Sequence, residues 1–259
     1  MLILGISAYN VFAYTVDGLV NADWGINLNL ANNIGYLDLH RPTGATVNVV
    51  TEDNARAGGG WQQVGPGWSY NNLFDTEAIY FDNDGYNAYI AVITGLPIGG
   101  ATAAGNPWFY PGDIGIDVDG NGIYEFGIDI SSFSGTQANF YGNLTASSWE
   151  GVYYDGTPPP DYTIANPFRI TSFTNPQSIN FIYSGNQNNH YVMETAIPLS
   201  YLGINGNSEK NLNLHWTMQC GNDYLNLPAT VNPVPEPATM ALLGIGLLGL
   251  IGFKLKVTK

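Results

Sequence analysis

The chain has 259 residues and carries 21 Asp and Glu against seven Lys and Arg, a formal net charge of −14, with one cysteine. A surface this acidic repels nucleic acid and anionic lipid head groups, so nucleic-acid binding is excluded and neutral sugars, divalent cations or plain solubility remain. A single cysteine rules out an intramolecular disulfide, and a chain of this length can bury enough apolar surface to hold a fold without one.

Residues 1–13, MLILGISAYNVFA, are a short apolar stretch ending Val11-Phe12-Ala13, with the small residues a signal peptidase prefers at its third-last and last positions. No Lys or Arg occurs before Arg41, so the basic start of a signal peptide is missing, and a start further upstream, a weak signal or a first buried strand all stay open. The expected organisation is a signal peptide over 1–13, an ectodomain over 14–230 and a C-terminal segment over 231–259.

The ectodomain reads as strands and turns. EAIYF, the turn Asp82-Asn83-Asp84-Gly85 and YNAYIAVITG predict one hairpin; DIGIDV, the turn Gly120-Asn121-Gly122 and IYEFGIDI predict another. IANPFRITSF and SINFIY follow, separated by Asn175-Pro176. HYVMETAI then runs into PLSYLG, where Pro198 ends the strand and a short turn returns Leu199 and Leu202 to the core. In LNLHWTMQC, Leu212, Leu214, Trp216, Met218 and Cys220 alternate with Asn211, Asn213, His215, Thr217 and Gln219, a half-buried strand. This predicts Cys220 as a core thiol and His215 as outward-facing, with Gly221-Asn222-Asp223 turning into YLNL. The fold class expected is all-β, an antiparallel two-sheet sandwich of jelly-roll type followed by one C-terminal transmembrane helix.

Three long connections interrupt the pattern: GGGWQQVGPGWSYNN, GLPIGGATAAGNPWFYPGD and Thr157-Pro158-Pro159-Pro160-Asp161. The first two concentrate aromatic side chains. A sugar site needs an aromatic platform for the C–H faces of the ring and fixed polar groups for its hydroxyls. Trp61 and Trp68 with Gln62, Gln63, Asn71 and Asn72 supply both in one loop, and Trp108 and Tyr110 with Asn106 supply them in the other. The competing role for each ring is to cap an end of the sandwich. Trp24, Trp149 and Trp216 are expected in the core.

Asp117, Asp119, Asn121 and Gly122 spell D-x-D-x-N-G, the opening of a calcium loop in which hard oxygen ligands converge around a tight turn. Glu125 occupies the ninth position, but the twelfth is Ile128, so the bidentate Glu of an EF-hand is missing and Asp113 or Asp129 would have to substitute. The loop reads first as a plain hairpin turn, which Asp-Gly-Asn-Gly favours on backbone grounds alone, and second as a site for a structural calcium ion, the one cofactor the sequence allows for; Asp82 and Asp84 form a similar, poorer site. Neither haem nor nucleotide is expected: His190 and Met193, three apart on one strand, face opposite sides, and no glycine-rich loop opens a helix. No G-x-S-x-G or H-E-x-x-H occurs, and only His40, His190 and His215 could act as bases near neutral pH, so no catalytic residue is assigned. A glycoside-active enzyme stays as the minor alternative, because the separation of two carboxylates is a three-dimensional quantity.

Residues 238–253 form an uninterrupted apolar run, and Lys254, Lys256 and Lys259 follow it, which predicts a short transmembrane helix with its end in the cytoplasm. Ahead of it stand Val234-Pro235-Glu236-Pro237 and Ala238-Thr239. Together these residues resemble the PEP-CTERM sorting signal of bacterial envelope proteins, with spaced lysines where that family has an Arg cluster. The resemblance implies signal peptidase and exosortase as export partners, recognition at Pro235, Glu236 and Pro237, transient anchoring and delivery to the cell surface or extracellular matrix of a biofilm-forming bacterium. Further upstream, TVDGLVNADWGINL, FDTEAIYFDNDGYNAYIAVITG, PGDIGIDVDGNGIYEFGI, YVMETAIPLSYLG and LHWTMQCGNDYL, in that order, look like the sandwich domain shared by carbohydrate-binding module family 9 and DOMON-like proteins. That likeness implies a sugar ligand in some members and haem in others. The function expected is a secreted, surface-sorted, non-catalytic matrix protein that binds exopolysaccharide or other matrix components. The alternative is a self-associating structural subunit of a surface layer or filament, whose aromatic loops bury into neighbouring copies.

Overall fold

The computed structural model describes residues 14–28, 38–39, 47–51, 54–57, 60–63, 72–102, 107–154, 163–185 and 190–233, with backbone alone at 27, 38–39, 54–57, 60–63 and 72. The expected signal peptide and transmembrane helix lie outside these residues.

After a short helix α1 (Val20–Asp23), the strands are β1 (Ile26–Asn27), β2 (Asp38–Leu39), β3 (Asn48–Thr51), β4 (Asn54–Ala57), β5 (Gly60–Gln63), β6 (Thr76–Asn83), β7 (Asn87–Thr94) and β8 (Ile114–Asp117). They continue as β9 (Phe126–Ser134), β10 (Gln137–Tyr141), β11 (Trp149–Glu150), β12 (Arg169–Ile170), β13 (Gln177–Tyr183), β14 (Tyr191–Pro198), β15 (Lys210–Thr217) and β16 (Tyr224–Val231). The expected hairpins form as β6–β7, β8–β9 and β15–β16, and Leu199 and Leu202 return to the core on a 3-10 turn. The segment IANPFRITSF is mostly irregular, with only β12 extended; β11 and β12 pair with each other.

Ten strands make one antiparallel sheet in the order β16-β15-β8-β9-β10-β13-β14-β7-β6-β3. The expectation of two separate sheets is therefore corrected to one sheet that curls until β16 meets β3 and β6, a nearly closed barrel. The seam is made by side chains: Asn48 Nδ2 donates to the Thr230 carbonyl at 3.4 Å while its Oδ1 accepts from Thr230 N at 3.3 Å. Curling satisfies edge groups that two open sheets would leave exposed.

Inward residues of every strand fill the barrel, with Ile79, Phe81, Ile90, Val92, Ile128, Phe140, Phe181, Leu214 and Trp216 in one apolar cluster. The outer face of β6, β7 and β14 is apolar too: Ala78, Tyr80, Ala91, Ile93 and Val192 are covered by Tyr14, Val20, Trp24 and Ile26. Burial on both faces explains why EAIYF and YNAYIAVITG read as continuous apolar runs. Two buried carboxylates fasten this N-terminal strap. Glu194 accepts from Gly18 N (2.6 Å), Asp17 N (3.2 Å) and Trp24 Nε1 (2.7 Å), and Asp82 accepts from the Tyr14 hydroxyl (2.6 Å).

The long excursion between β10 and β13 covers the outer face of β15. It buries His215, correcting its expected exposure: Nε2 lies 3.1 and 3.0 Å from the carbonyl oxygens of Ala165 and Pro167, and Nδ1 lies 2.7 Å from the side-chain amide of Asn226. Burial holds the imidazole below its usual pKa against those hydrogen bonds.

The antiparallel order defines two rims. At the first, β3, β7, β9, β13 and β15 end while β6, β8, β10, β14 and β16 begin; at the second the relation reverses. The two aromatic-rich connections, from Thr51 to Thr76 and from Thr94 to Ile114, both join strands at the first rim.

Candidate functional site

The described residues of the second connection are fixed by their own hydrogen bonds. Ala101 and Phe109 exchange backbone bonds of 2.9 and 2.8 Å, and Pro111 bridges Met218. Phe109 is the anchor, 4 % exposed and packed edge-on against Phe74 at 6.1 Å. Its neighbours point the other way: Trp108 is 51 % and Tyr110 50 % exposed. The alternation of a strand therefore puts one ring in the core and two outside. Trp108 is fixed by its Nε1–H, which donates to the Gly99 carbonyl at 2.7 Å. Gly100 has φ +75°, and a Cβ there would stand 2.3 Å from the Phe109 carbonyl oxygen and 2.6 Å from Trp108 Nε1, so only glycine admits this posture.

Gln219 extends the site. Its Oε1 accepts from Tyr110 N at 3.2 Å, its backbone N donates to the Tyr110 carbonyl at 2.9 Å, and its carbonyl accepts from Tyr153 N at 2.7 Å. Tyr110 and Tyr153 thus flank Gln219, and the Tyr153 ring, 59 % exposed, packs edge-on against Phe109 at 5.6 Å. Sequence reasoning missed Tyr153 and Gln219 because they are far from Tyr110 in the chain; the only local signal was Gln219 on the polar side of an alternating run. Of the other sugar-site candidates, Trp61 and Gln62 have described backbone in β5, paired with β4, while their side chains and all of Trp68 and Asn71 lie outside the described residues.

The acidic loop between β8 and β9 lies at the second rim. Carboxylate oxygens of Asp117, Asp119 and Glu125 all come within 4.8 Å of one another. Asp117 Oδ1 accepts from Gly120 N (2.7 Å) and Oδ2 from Gly122 N (3.0 Å), so Asp117 organises the turn. Burial works to raise its pKa, but the amides of Gly122 and Gly120, the Asn213 side chain and the Asp119 amide prevail and hold the carboxyl below its ordinary value. Glu125 Oε2 accepts from Val118 N at 3.1 Å, whereas Oε1 is buried with no hydrogen-bond donor among the described residues. Asn121 is at the exposed tip, where its Oδ1 accepts from Ile123 N at 2.7 Å. Three converging carboxylates with an oxygen left over suit a hard divalent cation.

Asp113 does not join this group, because it precedes β8 at the opposite rim. Its carboxylate accepts from Ile130 N (2.8 Å) and Ile170 N (2.7 Å), tying the excursion to the barrel. Burial raises its pKa to about 7, against the two amide hydrogen bonds. Asp129 accepts from the Ser131 hydroxyl and Ser132 N, and Asp84 from Tyr86 N, Asn87 N and the Tyr89 hydroxyl, so these carboxylates serve local structure. Cys220 is buried with its thiol pushed up to about 12 by desolvation, as befits a core residue. Trp24 and Trp216 are buried as expected, and Trp149 is partly buried against Tyr141, Leu144 and Ile170.

β16 ends at Val231 on the second rim, and the described residues stop two positions later. From there the chain enters a recognisable signal. Residues 233–256 match the PEP-CTERM protein-sorting motif. The PEP-CTERM segment marks the protein as exported, sorted to the cell surface and anchored at the envelope, and it implies processing by exosortase during export. It begins two residues after β16 ends, and that strand ends at the rim opposite Trp108 and Tyr110. No curated protein and no solved structure matches the chain. Among the described residues no helix is long and apolar enough to cross a membrane.

Proposed function

We propose that this surface-sorted protein is a non-catalytic component of the extracellular matrix that binds polysaccharide on the platform of Trp108 and Tyr110, extended by Tyr153 and Gln219. The observation that carries the reading is positional: the half-exposed rings lie on the rim opposite the end of β16, beyond which the PEP-CTERM segment begins, so a molecule anchored through that segment would present them away from the membrane. Rings held by a buried neighbour and by backbone bonds lose little freedom when a sugar stacks on them, which favours binding. The first aromatic connection joins strands at the same rim and supports an extended surface for a polymer. A calcium ion bound by Asp117, Asp119 and Glu125 would stiffen the opposite rim from which the chain leaves.

For the rival, a self-assembling subunit whose loops bury into neighbouring copies, one further route of assembly has less support. Strand addition needs a free sheet edge, and the long edge of β16 is faced by β3 and β6. Affinity electrophoresis of the full-length protein through gels containing neutral polysaccharides tests the reading. Retardation by one polymer, lost in Trp108→Ala and Tyr110→Ala, is expected. No retardation by any polymer, together with large particles in gel filtration, would favour the assembling subunit.

A further inference from the structure

A separate pocket of about 210 Å³ opens at the second rim, lined among others by Phe126, Phe140, Tyr201, Asn143, Asn175 and Gln177. It sits over the ends of β9, β10 and β13, on one side of the barrel mouth. Phe126 continues the inward series of Ile128 and Ile130, Phe140 that of Ala138, and Gln177 that of Ile179 and Phe181, so three adjacent strands each end on a side chain facing this opening. Barrel mouths are a preferred place for small-ligand sites.

The apolar wall is ordered. Phe126 stacks on Phe140 at 5.8 Å and 14°, and Tyr201 continues the column at 6.2 Å and 30°. Tyr201 is held there because Leu199 and Leu202, on the same 3-10 turn, are buried in the barrel.

The polar wall consists of three amides and the Thr174 hydroxyl. Among the described residues no hydrogen bond engages the side chains of Asn143, Thr174, Asn175 or Gln177, all of them exposed. Asn143 (φ 58°) and Asn175 (φ 53°) are also the two non-glycine residues of the described set in the left-handed region. Glycine adopts that conformation at less cost, so at both turns the difference from glycine is the amide delivered to the pocket.

None of the lining side chains is a carboxylate, an amine, a guanidinium or an imidazole, in a chain of net charge −14. An ionic ligand would be desolvated there without a counter-charge. We propose that this pocket binds one ring of a neutral saccharide, its C–H face on the aromatic wall and its hydroxyls on the amides of Asn143, Asn175 and Gln177. The site is independent of the platform at the first rim.

The test is calorimetric titration of the full-length protein with glucose, galactose, mannose and N-acetylglucosamine, repeated on Asn175→Gly, Tyr201→Ala and Trp108→Ala. Saturable binding of at least one sugar is expected, weakened about tenfold or more by Asn175→Gly and Tyr201→Ala, the size of one good hydrogen bond or stacking contact. Trp108→Ala should leave it intact. Asn175→Gly keeps the backbone conformation, so it stays decisive should Tyr201→Ala fail to fold. Binding of none of the four sugars overturns the proposal, as does binding that survives both pocket variants. Loss in Trp108→Ala alone would assign the sugar to the platform instead and overturn the pocket while upholding the platform.

Discussion

Asn83 and Asn232 clasp each other across the seam of the barrel: the Asn83 side-chain amide donates to the Asn232 carbonyl at 2.8 Å and accepts from Asn232 N at 2.8 Å. A side chain here imitates the paired bonds of a neighbouring strand and occupies groups that an edge would leave open. Asn83→Ala removes both bonds, at an expected cost of about 1–3 kcal/mol, and should lower Tm by several degrees in thermal unfolding. An unchanged Tm would mean that the seam contributes nothing to stability.

Glu194 lies beneath the N-terminal strap with three donors on its carboxylate. Glu194→Ala leaves those donors unmatched and should cost about 2–4 kcal/mol. With the strap loosened, Tyr80, Ala91 and Val192 become accessible, so binding of an apolar dye and cleavage within residues 14–28 should both rise. Wild-type resistance to a protease in the variant would show that apolar packing alone holds the strap.

Asp113 makes stability depend on pH. Its pKa rises from 3.8 to about 7 on folding, so its contribution is complete below the unfolded value and is lost as pH rises through about 7. At roughly 1.4 kcal/mol per pKa unit this amounts to a few kcal/mol at most. Denaturant unfolding of wild type and Asp113→Asn at about pH 4.5 and about pH 7.5 should show the wild-type advantage shrinking toward the higher pH. His215, with its pKa lowered by burial, acts in the opposite sense and loses its contribution in acid, which is why the difference between the two proteins is the quantity to read. An advantage equal at both values would show that Asp113 does not titrate in this window.

Calcium should raise Tm, since a ligand at 100 times its Kd stabilises by about 2.7 kcal/mol. Glu125→Gln keeps an acceptor for Val118 N but removes the charge, and Asp119→Asn does the same at the exposed tip. Both should abolish the rise measured between added calcium and chelator. A rise that persists in both would move any ion away from this loop.

Gly100→Ala tests the platform without touching a ring. The new Cβ must displace the Phe109 carbonyl or the Trp108 indole, so polysaccharide retardation in gels should fall as far as in Trp108→Ala. Full retention would imply that the posture of Trp108 is immaterial.

What the sequence determined by itself was local: most of the long strands, the turns between them, and an export address at residues 233–256. Period-two alternation placed Cys220 and Trp216 inside, and D-x-D-x-N-G brought Asp117, Asp119 and Glu125 into one loop, because strand and turn preferences act over a few residues. Burial on the outer face was not legible. His215 lies on the polar side of its strand and is buried nonetheless, since what covers it arrives from about fifty residues away. Asp113 reads as one more ligand of an acidic loop, yet β8 carries that loop to the other rim and backbone amides claim its carboxylate. The pairing of Tyr110 with Gln219 and Tyr153, and of Phe140 with Gln177 and Tyr201, was decided by strand order and the curl of the sheet alone, because long-range register has no counterpart in the spacing of residues along the chain.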